Sequence, residues 1–208
     1  MVLTADVVFI NQLAFVVTLS GKLCFGTIQY VRSRKASSLV KALNKVITLY
    51  TTRGLNLASL LMDREFECLK GKIQTLVNTT AADEHVPEIE RRNRVIKERF
   101  RAARNRAPHF KKFPNIVIIE LARQNVLWLN AFPVKASVLK EISPPVMLTG
   151  IPIDYKKHCR CPLLAFVHTH ELIDSIDKVQ TIGAICLGPT GNEQGTYTFL
   201  NLATGRRI

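Results

Sequence analysis

Two apolar runs open the chain, where residues 2–19 read VLTADVVFINQLAFVVTL. Each run is dense in Val, Phe, Ile and Leu, and the polar pair Asn11-Gln12 separates them. Short apolar runs bounded by turn residues are typical of buried β-strands. A third run, which alternates loosely between Lys22 and Arg32, follows directly. The stretch therefore predicts three adjacent strands at the start of a sheet.

The sequence after this stretch alternates between helical and strand-like patterns. Apolar residues spaced by three and four from Leu39 to Tyr50, followed by Gly54, predict an amphipathic helix with a glycine cap. The other predicted elements are a strand over 55–62, a short helix over 64–70, a short strand over 73–77, and helices over 86–107 and 115–130. Strand–helix–strand steps need a crossover, so this order favours an α/β fold with a mixed sheet.

The last third of the chain changes character. Prolines and glycines separate short β-like runs over 163–168, 182–187 and 195–202, which predict a small β unit. We therefore expect a main domain over 1–135, a linker over 136–150 and a small β-domain over 151–208.

The charge of the chain points to a polyanionic partner. Lys and Arg number 29 against 16 Asp and Glu, a net charge of +13. Nucleic acid is the leading candidate and an acidic membrane surface is the competitor. No stretch reaches the roughly 18 uninterrupted apolar residues of a spanning helix, and the first run suits a signal peptide poorly. We expect an intracellular protein without a membrane partner.

Five scattered cysteines argue against a disulfide framework, so reduced thiols are expected. A zinc site is the alternative use for some of them. The candidate ligands are His158, Cys159, Cys161, His168 and His170, whose spacing fits no zinc motif. An incidental cluster is the simpler interpretation.

Three carboxylates stand at positions that suit metal chemistry. Asp6 lies at the start of the first predicted strand, Asp63 at the end of the central one, and Glu90 in the first turns of a long helix. Converging carboxylates can hold two Mg²⁺ or Mn²⁺ ions, which stabilise the entering and leaving oxygens of a phosphodiester. A plain structural use stays open, because turns and helix starts favour acidic residues on their own.

The helix that carries Glu90 is basic along one face. At about 100° per residue, its cations continue the stripe of Glu90, beside an apolar stripe of Ile89, Ile96, Phe100 and Ala103. The expected nucleic-acid contacts on this helix are Arg91, Arg94, Lys97, Arg101 and Arg104. The alternative is a solvated, arginine-rich helix face that binds no nucleic acid.

Two motifs resemble a known family. Asp63-Arg64-Glu65-Phe66 resembles the acidic strand-end motif of copia-type LTR-retrotransposon integrases, and residues 90–94 resemble their glutamate helix motif, E-R-[RK]-N-R. In the tail, Cys186-Leu187-Gly188 and residues 195–200 are similar to the small β-barrel segment that follows the core in copia-type polyproteins. The resemblance covers nearly the whole chain and is closest to the copia-like elements of diatoms and other algae.

The resemblance implies a ribonuclease-H-like core, binding of element-end and target DNA, and strand transfer with two Mg²⁺ or Mn²⁺ ions. Asp6, Asp63 and Glu90 are the positions that inherit the catalytic and metal-binding triad. Should Glu90 face away from Asp63, Glu88 and then Glu84 are the substitutes. The family also implies a homo-oligomer, located in the nucleus or in virus-like particles.

The sequence departs from the family at the second carboxylate. The usual S-D-N-G-G-E-F is reduced to Met62–Phe66, and Glu90 follows Asp63 by only 27 residues. The upstream His/His/Cys/Cys zinc segment is missing as well. We therefore expect a fragment, a degenerate copy or a processed piece of a polyprotein. A catalytically inactive nucleic-acid-binding remnant and a related ribonuclease-H-like nuclease stay open beside an active integrase.

Overall fold

The structure is a computed structural model that describes residues 1–79, 86–105, 112–170 and 180–208. The strands are β1 (Val2–Ile10), β2 (Leu13–Ser20), β3 (Gly26–Val31), β4 (Ser59–Met62), β5 (Leu76–Thr79), β6 (Phe166–His170), β7 (Thr181–Pro189) and β8 (Tyr197–Asn201). The helices are α1 (Ala36–Thr51), α2 (Pro87–Asn105), α3 (Asn115–Asn130), α4 (Pro144–Thr149) and α5 (Tyr155–His158), and a 3₁₀ helix spans Arg64–Leu69. Residues 106 and 107, the end of the helix predicted over 86–107, lie outside the described residues.

A five-stranded mixed sheet in the order β3-β2-β1-β4-β5 forms the centre of the fold. β1, β2 and β3 pair antiparallel, whereas β4 runs parallel to both β1 and β5. Asn11 and Gln12 both adopt positive φ angles, 47° and 67°, as a two-residue hairpin turn with matching twist requires. The predicted α/β class with a mixed sheet is therefore confirmed.

Helices cover both faces of this sheet, because its central strands are apolar on both sides. Leu3 and Ala5 of β1 join the cluster under α1 and the 3₁₀ helix. Val8 and Ile10, which have the opposite parity along the strand, join the cluster under α2 and α3. Asp6 shares the parity of Val8 and so lies on the side of α2.

A second, smaller antiparallel sheet has the order β6-β7-β8. Ile185 and Leu187 of β7 belong to the same hydrophobic cluster as Leu121 of α3. The approach is close, because a Cβ on Gly188 would lie 2.4 Å from the side chain of Gln124. The Gln124 amide donates to the carbonyl of Pro189 at 2.7 Å. The two sheets therefore share one core across α3.

The segment over 136–150 packs on the core as well. It contains α4, whose Leu148 is buried among residues of the α1 face. The Val138 amide donates to the carbonyl of Lys22 at 3.1 Å. The boundaries of the main domain, linker and β-domain stay predictions. In the described part of the chain, no helix combines the length and apolar character that crossing a membrane demands.

Candidate active site

Asp6 lies in the middle of β1, between Ala5 and Val7, and not at the start of the strand as the sequence analysis expected. It faces α2. Its two carboxylate oxygens accept hydrogen bonds from the Val7 amide and from the Asn93 side chain, both at 2.6 Å. The strand and the helix therefore hold this carboxylate in one orientation.

Asp63 follows β4 directly, on the strand parallel to β1. In the parallel pairing of β1 with β4, Thr4 lies opposite Leu61 and Ala5 lies opposite Met62. The next residue along each strand is Asp6 and Asp63, so the two aspartates lie beside each other. Neighbouring strands lie about 4.8 Å apart, so the two carboxylates are close. Asp63 also precedes the 3₁₀ helix, but its side chain makes no capping hydrogen bond. Helix capping therefore does not account for an acid at this position.

The electrostatics of Asp6 reflect this placement. Burial raises its pKa above the ordinary value, and the negative charges of Asp63 and Glu65 raise it further. The hydrogen bonds from Val7 and Asn93 act in the opposite direction without cancelling the rise. A cation beside Asp6 and Asp63 would relieve both the repulsion and the burial of negative charge.

Glu90 lies in the first turns of α2, on the same side as Asp6. The two carboxylates line one cleft of about 350 Å³. The full lining consists of Asp6, Glu90, Asn93, Arg94, Lys97 and Arg101. Asp63 lies outside this lining. Within the described ranges, no group of three His, Cys, Asp or Glu side chains is close enough to hold a metal ion.

The structure thus brings the predicted triad together in pairs, Asp6 beside Asp63 and Asp6 across the cleft from Glu90. The nearest substitute, Glu88, points elsewhere, because its carboxylate lies beside the turn that contains Gly21 and Cys24. Glu84 falls outside the described residues. Carboxylates are the ligands that Mg²⁺ and Mn²⁺ prefer. The residues present therefore fit a divalent metal by the chemistry of their donor atoms.

Three of the five predicted nucleic-acid contacts line this cleft, namely Arg94, Lys97 and Arg101. Arg91 and Arg104 are exposed on the same helix but outside the cleft. A basic stripe of α2 therefore continues from Glu90 along the cleft that Asp6 also lines, as binding of a phosphate backbone beside a metal site would require.

Two members of the helix motif have functions that the sequence analysis missed. Asn93, only 7% exposed, donates to Asp6, and its own carbonyl oxygen has no hydrogen-bond partner. Arg92 turns inward and donates to Asn130 of α3 at 2.7 Å. The signal was present in E-R-R-N-R, since an amide among four charged residues is the odd member of the motif.

Among the residues that the structure describes, the candidate zinc ligands are not gathered into one group. Both ring nitrogens of His158 lie within hydrogen-bond distance of backbone carbonyls, 2.7 Å from Asp154 and 2.9 Å from Asn192. Cys159, Cys161, His168 and His170 belong to no three-ligand group of the described residues. All five cysteines are free thiols.

Solved structures that resemble this chain include integrase proteins. The catalytic core of BIV integrase matches with a TM-score of 0.50 at 15% identity, over 72% of this chain and 93% of that one. The trimeric form of the HTLV-2 integrase catalytic core in complex with magnesium gives 0.50 at 12%, over 71% and 95%. The simian T-cell lymphotropic virus intasome, in complex with PP2A regulatory subunit B56 gamma, gives 0.54 at 10%, over 96% and 75%.

These likenesses define the fold. The chain is an α/β protein of the ribonuclease-H-like class, with a second small sheet. Within that class it has the fold of retroviral integrase catalytic cores. Comparison of the sequence with protein-family models and with curated proteins found no match.

Proposed function

We propose that this chain is an integrase core that binds DNA and transfers DNA strands with divalent metal ions, and that it derives from a copia-type LTR retrotransposon. The observation that carries the proposal is the cleft that Asp6 and Glu90 line together with Arg94, Lys97 and Arg101, with Asp63 following the strand next to β1. Two structural neighbours are an integrase core bound to magnesium and an intasome. DNA ends and target DNA are the proposed substrates.

In this proposal Asp6, Asp63 and Glu90 hold two Mg²⁺ or Mn²⁺ ions, which would stabilise the entering and leaving oxygens at phosphorus. Asn93 fixes the Asp6 carboxylate and keeps it on the side of α2. Arg94, Lys97 and Arg101 bind the neighbouring phosphates. A homo-oligomer in the nucleus or in virus-like particles follows from the same family assignment.

The test is a strand-transfer assay on short duplexes in Mg²⁺ or Mn²⁺, comparing the wild type with Asp63→Asn and Glu90→Gln. Loss of a metal ligand should reduce the product by at least about 100-fold. Glu88→Gln is the matched control, because Glu88 lies two residues before Glu90 on the same helix and its carboxylate lies beside Gly21. Glu88→Gln should retain the wild-type rate. Equal activity in all four proteins would show that Asp63 and Glu90 do not take part in catalysis.

A catalytically inactive DNA-binding remnant is the second candidate, and one observation favours it. The three carboxylates do not meet around one point among the described residues. This candidate predicts duplex binding that weakens steeply with salt and is the same in wild type, Asp63→Asn and Glu90→Gln. Binding without any strand transfer, in both metals, would select it over the integrase.

A further inference from the structure

Three aromatic side chains stack on the surface between α3 and α5. The ring of Tyr155 lies 6.4 Å from that of Trp128 and 6.1 Å from that of Phe132, centroid to centroid. The interplanar angles are 21° and 25°, so the three rings are nearly parallel. Tyr155 is 46% exposed and Phe132 is 54% exposed. The stack is therefore open to a flat partner from the solvent side.

Backbone contacts hold the stack in place. The Tyr155 hydroxyl donates to the carbonyl of Ala131 at 3.2 Å, which ties α5 to the end of α3. Asp154 caps α5 by accepting from the amides of Lys156 and Lys157. The buried ring of His158 lies between two carbonyls and fixes the same short helix to the loop before β8. A ligand would thus meet rings that are already ordered, which reduces the entropy lost on binding.

Exposed cations follow the rings closely in the sequence. Lys156, Lys157 and Arg160 follow Tyr155 directly and are exposed, and Lys135 is exposed three residues after Phe132. Among the described side chains, Lys157 lies 3.7 Å from Asp154, and Lys135, Lys156 and Arg160 form no ion pair within 4 Å. An apolar protein partner would have to cover these charges without compensating them. A polyanion that also contains flat rings would pair with the cations and stack on the aromatic side chains.

We propose that Trp128, Phe132, Tyr155 and the adjoining cations bind an unpaired stretch of nucleic acid, with bases stacked on the rings and phosphates on Lys156 and Arg160. The inference rests on the proposed function, in which the chain handles DNA, and adds a surface outside the carboxylate cleft. Aromatic rings beside basic side chains are the combination by which proteins bind single strands without sequence preference. A base pair hides its faces in the duplex stack, so the site discriminates against duplex DNA.

The experiment uses Trp128, the single tryptophan of the chain, as the reporter. The full chain is titrated with a 12-nucleotide oligothymidylate, and with a duplex of equal length, in EDTA so that the carboxylate cleft is inactive. We expect the single strand to quench the Trp128 fluorescence and to bind at least about fivefold more tightly than the duplex. Equal affinity for both ligands, or no change in fluorescence, would overturn the proposal.

Three variants locate the binding. Tyr155→Leu and Phe132→Leu keep an apolar side chain and lose a stacking face, so each should weaken single-strand binding about tenfold. Tyr155→Phe keeps the ring and loses only the hydroxyl, and should bind like the wild type. Phe166→Leu, at an aromatic residue of β6 that is 60% exposed, is the matched control and should also bind like the wild type. Circular dichroism verifies that each variant is folded.

Two further results separate the possible causes. If the Trp128 fluorescence changes with protein concentration in the absence of DNA, and Tyr155→Leu abolishes that change, the surface binds a second copy and the proposal is wrong. Asp63→Asn should leave single-strand binding unchanged, because Asp63 follows β4 and is neither one of the stacked rings nor one of the adjoining cations. If Asp63→Asn loses strand transfer and keeps the quenching of Trp128, both proposals are supported. If no protein, including the wild type, transfers strands but the quenching is present, the integrase activity is excluded and the single-strand site is retained.

Discussion

At the scale of single residues, the pairing of β1 with β4 keeps Asp6 beside Asp63 although the two negative charges repel each other. Asp6 is half-buried, Asp63 lies on the neighbouring parallel strand, and the pKa of Asp6 is raised by both circumstances. A proton therefore binds Asp6 more tightly in the folded chain than in the unfolded chain. The contribution of Asp6 to stability is favourable at low pH and is lost as pH rises through the folded pKa.

Asp63→Asn should consequently stabilise the protein at pH 7, because it removes one of the two repelling charges. We expect the melting temperature to rise by about 1–3 °C at pH 7. The gain should shrink as pH falls through the raised pKa of Asp6, because a protonated Asp6 carries no charge to repel. Thermal unfolding followed between pH 3.5 and 7.5 measures this difference.

The control for this prediction is Glu67→Gln on the 3₁₀ helix. Glu67 is exposed and pairs with Lys70 at 3.1 Å, so its neutralisation should not raise the melting temperature. A drop in stability for Asp63→Asn at pH 7 would show that Asp63 has a favourable structural contact, against the functional assignment.

Residue positions were only partly predictable from the sequence. Asp63 and Glu90 stand in short motifs, and the parity of β1 places Asp6 on the α2 side once its strand is known. The inward turn of Arg92 and the bond from Asn93 to Asp6 depend on the distance between α2 and the sheet. Helical periodicity gives the direction of a side chain and not that distance, so these contacts were not predicted.

At the scale of elements, the end of α3 is tied to the first residue of β3. The Asn130 side chain accepts from the Gly26 amide at 3.0 Å and donates to the Gly26 carbonyl at 2.7 Å. Its oxygen also accepts from Arg92 of α2. One amide therefore joins two helices to the sheet.

Asn130→Ala should destabilise the protein by about 2–4 kcal/mol, because it leaves the buried amide and carbonyl of Gly26 without partners. Urea unfolding measures the loss. Asn125→Ala on the same helix is the matched control, since the Asn125 amide nitrogen is buried without a hydrogen-bond partner. That substitution should cost less than about 1 kcal/mol. Similar losses for the two variants would contradict the role of Asn130.

Long elements were predicted more closely than short ones. The helix over 115–130 matches α3, and the first two strands match within one residue, because apolar spacing over many residues is specific. The strand predicted over 55–62 pairs only from Ser59 to Met62, since Leu55 and Leu57 pack on the core without strand partners. The four-residue α5 was not predicted, because its only local signal is the cap Asp154.

At the scale of the whole molecule, the two sheets are joined through α3. Besides the shared apolar cluster, the buried Glu120 of α3 accepts from Arg207 near the end of the chain at 2.8 Å and from Arg123 at 2.6 Å. The sequence shows that the last third of the chain differs in composition from the rest. It does not show that both sheets pack on α3. The predicted division at 136–150 consequently says nothing about whether the two sheets unfold separately.

We expect one cooperative unfolding transition for the whole chain. Trp128 fluorescence and far-ultraviolet circular dichroism should give the same urea midpoint. Leu187→Ala, at a buried position of β7, should lower the stability seen by both probes by about 2–4 kcal/mol. Leu202→Ala, at a half-exposed position after β8, is the control and should change it by less than about 0.5 kcal/mol. Two separate transitions, with Leu187→Ala shifting only one, would exclude the common core.

The contact among Gly26, Arg92 and Asn130 also limits how this chain can diverge. A Cβ at position 26 would lie 2.7 Å from the Arg92 guanidinium, which Asn130 holds in place. A side chain larger than glycine at position 26 therefore requires that the Arg92 guanidinium moves away from Asn130 or that a shorter residue replaces Arg92. In a set of related sequences, positions 26, 92 and 130 should covary, and a family alignment would reveal this three-way contact before any coordinates did.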